Sequence, residues 1–208
     1  MLKIKFSLVC LSIFLLLGCI NNSDTSISSK AGAPLLKGLG DHSHKISSNV
    51  YGVQRYFDQG LVLAFAFNHA ESIRSFKAAQ RLDPSCAMCF WGEAFALGPN
   101  INVNSDGKVI MAPQNRVAAF KAINTAITLS KSSSPKEQAY ISALATRYDG
   151  NTNTDREPLD IAYANAMEAL SQKYPEDNDA ASLFAEALMN TMPWNYWAED
   201  GNPKSDTV

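Results

Sequence analysis

The sequence is short of the residues that chemistry usually requires. Its 208 residues include three histidines and four cysteines, and 18 Lys and Arg stand against 20 acids with no basic stripe. Phosphate neutralisation needs such a stripe, so nucleic acid is excluded as a partner. A Gly-rich phosphate loop, Gly-x-Ser-x-Gly, His-Glu-x-x-His and a carboxylate pair at a distinctive spacing are all missing. This points away from an enzyme, although sites assembled in space leave no motif. Isolated polar residues such as Glu93, Glu186 and His69 read first as core hydrogen-bonders. The apolar run from Phe6 to Leu17 is too short to remain in a bilayer as an anchor.

What is present begins with that run. Preceded by Lys3 and Lys5, it reads as an export signal over residues 1–18, whose loss leaves a slightly more acidic chain. Its end, Leu16-Leu17-Gly18-Cys19, resembles the lipobox of bacterial lipoproteins, with Leu17 bulkier than the usual residue there. The resemblance implies cleavage before Cys19 and lipidation of Cys19. Ile20 in place of Asp then favours the outer membrane, with the folded part facing periplasm or surface. Buried acyl chains hold such a protein without a spanning helix. Residues 19–37, rich in Ser, Asn and Gly, lack apolar periodicity and read as a flexible tether.

From residue 50 onward the periodicity is helical and the expected fold class is all-α. Val53, Tyr56, Phe57, Leu61, Ala64 and Phe65 recur at three-and-four spacing. Asn68 and Glu71 predict a capping box for a second helix, His69 to Leu82, which Asp83-Pro84 closes. Ala87 to Leu97 is the next helix, and the Gly- and Pro-containing stretch "GPNINVNSDGKVIMAP" is an insertion loop. Helix returns over Pro113 to Leu129, with Val117, Phe120, Ile123, Ala126 and Ile127 expected on its buried side. Ser134, Pro135 and Glu137 spell a second capping box, Leu159 to Tyr174 follows, and a last helix spans about Asp179 to Met189.

Counting back from Pro84 over a unit of about 34 residues, Tyr56, Gly60, Ser72, Phe76, Ala79 and Pro84 match a tetratricopeptide repeat. The fold expected of residues 38–208 is therefore a tetratricopeptide-like solenoid of about three hairpins plus an incomplete fourth. The run from "GLGDHSHKIS" through "YFDQGLVLAFAFNHAESIRSFKAAQRLDPSCAMCFWGEAFALGPNIN" to "ALMNTMPWNYW" resembles a family of exported bacterial tetratricopeptide-repeat proteins of unsettled biochemical role. Longer members of that family continue with further hairpins, which implies that this chain is a shortened member. An apolar final helix followed by Trp194, Tyr196 and Trp197 predicts an uncovered end and self-association through it.

Two functional readings follow. In the first, the protein is a membrane-tethered scaffold for a protein or peptide partner in the cell envelope. Its groove is lined by Gln54, Phe57, Leu61, Ala64, Phe65, Met88, Trp91 and Phe95, an apolar set to leave facing water. The charged residues Arg55, Asp58, Arg74, Lys77 and Arg81 read as a solvated face. In the second, His42, His44, His69, Cys86 and Cys89 handle a metal or haem, or do redox chemistry. Covalent haem attachment fails because Phe90, not histidine, follows Cys89. Zinc or another metal needs four ligands, and the three histidines and two thiols are what the chain offers. A thiol in a first helical turn has a lowered pKa, which favours redox chemistry, yet no thioredoxin-like βαβ surrounds it. The remaining reading makes Cys86 and Cys89 small buried hydrophobes, free or oxidised to each other, with no cofactor required.

Overall fold

The computed structural model describes residues 22–102 and 111–204. Among these residues the regular structure is helical: α1 (Asn22–Ala31), α2 (Val53–Phe65), α3 (His69–Leu82), α4 (Ala87–Leu97), α5 (Pro113–Leu129), α6 (Pro135–Ala145), α7 (Glu157–Lys173) and α8 (Asn178–Thr191). A single 3-10 turn, Ser130–Ser132, links α5 to α6, and one isolated bridge joins Trp197 to Pro203. No helix among the described residues is long and apolar enough to cross a membrane. The expected export signal, Cys19 and part of the insertion loop lie outside the described residues.

From α2 to α8 each helix packs on the next, and α2 also touches α4 as α4 touches α6. The chain thus runs up and down, with α2, α4 and α6 forming one layer. Phe76 explains how tightly the first three helices nest. Its ring is fully buried, and a Cβ on Gly60 would lie 2.8 Å from it, on Gly92 only 2.2 Å. Glycine on both neighbouring helices is what admits the ring. Ser72 donates to the Gly60 carbonyl at 2.6 Å, Ala79 is fully buried, and the Tyr56 hydroxyl donates to the Ala33 carbonyl at 2.6 Å. The repeat register aligns Ala94 with Gly60, but Gly92 is the residue that faces the ring.

Further along, α6, α7 and α8 are joined by buried charges. Arg156 meets Asp160 at 2.5 Å, Arg147 reaches Glu186 at 3.5 Å, and the Arg147 guanidinium lies 4.5 Å from the centre of the Tyr163 ring. Each charge has an opposite partner, without which burial would be costly.

Several expectations need correction. Residues 22–31 of the expected tether are a helix, with Ile27 and Ala31 buried, Asp24 paired to Arg55 at 2.5 Å, and Arg81 donating to the Ala31 carbonyl at 2.5 Å. One short i, i+4 apolar pair on a polar helix gives no periodic signal, and docking supplies the stability. The Asn68–Glu71 capping box does not form. Asn68 has ψ 63 rather than the extended backbone a cap requires, and Glu71 pairs with Arg74 at 2.6 Å instead. The capping box at Ser134 and Glu137 is present. On α5 the buried face is Ala119, Ala122, Ile123 and Ala126, while Val117, Phe120 and Ile127 are exposed. Alanines let α4 and α5 approach closely, and the bulkier stripe is turned outward.

Candidate functional site

Before α2 begins, the chain crosses the layer of even-numbered helices as an extended segment, residues 42–48, here termed the strap. Its side chains alternate: His44 and Ile46 are buried, while Ser43, Lys45 and Ser47 are exposed. Side chains on the helices hold its backbone. The Gln54 amide donates to the His44 carbonyl at 2.8 Å and accepts from the Ile46 N–H at 3.1 Å, as a neighbouring strand would. Asp58 accepts from the His44 N–H at 3.1 Å and from the Ser43 hydroxyl at 2.8 Å. Glu137 on α6 accepts from the Ser47 N–H at 2.7 Å and from the Ser47 hydroxyl, and Asp83 accepts from the Ser48 hydroxyl at 2.6 Å.

At its start the strap reaches α8. His44 Nδ1 lies 2.6 Å from one Asp179 oxygen, and His42 Nε2 lies 3.2 Å from the other. The His44 ring centroid is 5.1 Å from Tyr140 and 6.0 Å from Phe57. Ligand-type atoms of His44, Asp177 and Asp179 all fall within 4.8 Å of one another. Asp177 caps α8 through the Asp179 and Ala180 amides, accepts from the Tyr140 hydroxyl at 2.9 Å and pairs with Lys136 at 2.5 Å.

The electrostatics follow from these contacts. Burial pushes the Glu137 carboxyl up, but hydrogen bonds from Ser47 and Ser134 outweigh it and hold the group below the usual glutamate range. Burial likewise opposes ionisation of Asp177, and Lys136 and Tyr140 overcome it. Burial and the Asp177 charge push the Tyr140 phenol far above its ordinary value, so it remains a donor.

The residues singled out from sequence are distributed unevenly. Phe57, Leu61, Met88 and Trp91 are buried rather than lining an open groove, and Ala64 is buried with them. The open apolar groove is thus corrected: the strap and Tyr140 fill it, and Gln54 serves as a grip. Phe65 remains 39% exposed, edge-on to His42 at 6.0 Å, and Phe95 stacks on Trp91 at 5.5 Å. Cys86 and Cys89 form a disulfide, with Cys86 as the N-cap of α4 accepting from the Cys89 N–H at 3.2 Å. Oxidised to each other, they are not thiolate ligands. His69 sits apart from the other histidines' shared carboxylate, 3.2 Å from Asn100, and burial pushes its imidazole pKa down.

Sequence reasoning missed Asp58, Tyr140, Asp177 and Asp179, and assigned Asp58 to a solvated face. The alternation of "HSHKIS" was the available signal for an extended, half-buried segment. Nothing local ties Asp179 to His44, which is 135 residues away. No family model, curated protein or solved structure matches the chain.

Proposed function

We propose that the protein is a tetratricopeptide-like scaffold, tethered to a cell-envelope membrane through Cys19, that takes an extended peptide from a protein partner along the α2–α4–α6 layer. The observation that carries this reading is the way the strap is held. Gln54, Asp58 and Glu137 grip main-chain groups of an extended segment. Such grips accept any extended chain, and the sites taken by alternate side chains supply selectivity. The Gly60, Ser72 and Phe76 nesting and the Asp83-Pro84 turn support the repeat reading. The strap is then the resident occupant, and a partner's peptide competes with it. Of the residues in the metal, haem or redox alternative, His42 and His44 share the Asp179 carboxylate and Cys86 and Cys89 share a disulfide, while His69 stands apart.

Phe65 is exposed beside the strap, so a photo-crosslinking residue placed there leaves the core intact. In cells it is expected to capture an envelope protein, and Ile46→Ala, which removes a buried anchor of the strap and leaves the grips in place, should raise the yield several-fold. Phe65→Glu in an Ile46→Ala chain should depress binding of the captured partner. A yield indifferent to Ile46→Ala would remove the groove as the binding site.

A further inference from the structure

We propose that His42, His44, Asp177 and Asp179 form a site for a divalent transition metal of borderline softness, zinc in the first place, that fastens the strap to the start of α8. Two imidazoles and two carboxylates are the donor set that suits such ions, whereas magnesium and calcium prefer oxygen alone.

The geometry brings three of these donors together, with His42 adjoining them through Asp179. Metal–ligand bonds of about 2.0–2.2 Å place neighbouring donors roughly 3.4 Å apart. Asp179 already lies 2.6 Å from His44 and 3.2 Å from His42, and the His44, Asp177 and Asp179 donors span no more than 4.8 Å. His42, paired to the second Asp179 oxygen and 40% exposed, is the ligand that must turn inward to complete the set. Packing holds the central ligand in place, because the buried His44 ring is set between Tyr140 and Phe57. The Tyr140 hydroxyl orients Asp177 from behind, the kind of outer contact that tunes metal sites.

Among the described residues, Lys136 is the lysine paired with this cluster. Its side chain is 43% exposed and approaches Asp177 at 2.5 Å. A flexible exposed ammonium leaves at little cost when a divalent ion takes its carboxylate. A bound ion would also close a loop of 135 residues between His44 and Asp179, making metal occupancy a clamp on the strap. The site itself requires no partner peptide.

The test is a titration of the full chain, prepared without a polyhistidine tag and freed of metal. Cobalt(II) is expected to develop visible ligand-field bands saturating at one equivalent, and zinc should displace it and raise Tm. His42→Ala and Asp179→Asn should each weaken cobalt binding at least tenfold, with His69→Ala leaving it unchanged. His42 is 40% exposed, so its removal spares the fold even if an Asp179 variant does not. The site is overturned if no stoichiometric binding occurs, or if affinity survives His42→Ala in a chain of native helicity. Because no peptide takes part, either result leaves the crosslinking outcome at Phe65 to be judged separately.

Discussion

Gly92 shows how one missing methyl sets the spacing of two helices. The Phe76 ring occupies the space where its Cβ would stand, 2.2 Å away, and this ring is also the wedge against Gly60 and the edge partner of Phe57 at 5.4 Å. A side chain added there cannot be absorbed by a flexible tip, because an aromatic ring enclosed on both sides has nowhere to turn. Gly92→Ala should therefore cost about 1–3 kcal/mol despite alanine's better helix propensity. Urea unfolding would register this as a lower midpoint at unchanged slope. Phe76→Leu in the same chain should recover part of the loss, since the two positions share one space. The small-large-small logic was legible at Gly60 and Phe76, where the repeat register names it. At Gly92 it was not, because the register points two residues further on, to Ala94.

The strap and α6 are coupled through one carboxylate. Glu137 completes the capping box with Ser134 and also accepts the Ser47 amide and hydroxyl of the strap. Its folded pKa is held below the ordinary value, so ionised Glu137 contributes stability that is fully present above the unfolded pKa and lost as pH falls through the folded one. The window opens at about 4.3, the unperturbed glutamate value, and extends downward. Stability measured from pH 6 to pH 3 should fall more steeply for the native chain than for Glu137→Gln. Equal slopes would mean that the strap is held by its other contacts. Helix limits were well marked in the sequence where Pro113, Ser134 with Pro135, and Asp83 with Pro84 punctuate it. The docked α1 and the strap were not, because α1 carries no periodic apolar stripe and the strap's alternation rests on two buried side chains, His44 and Ile46. Each is stable only against the finished body, through Ile27 and Ala31 in one case and polar grips in the other.

At the scale of the molecule, large aromatic surface is left open after α8. Trp194 and Trp197 are 65% and 62% exposed, and Met189 near the end of α8 is exposed as well. Large aromatic surfaces left in water favour association between copies. Light scattering after size exclusion should show a mass that rises with concentration, and Trp194→Gln with Trp197→Gln should restore a constant monomer mass. The docked α1 has a separate consequence. If Cys19 carries the acyl anchor, three residue steps separate the lipid from Asn22, a reach of about 10 Å at full extension. The helical stack would then ride against the headgroups in a restricted orientation instead of swinging on a long leash. What it meets would be set by height above the bilayer as much as by affinity.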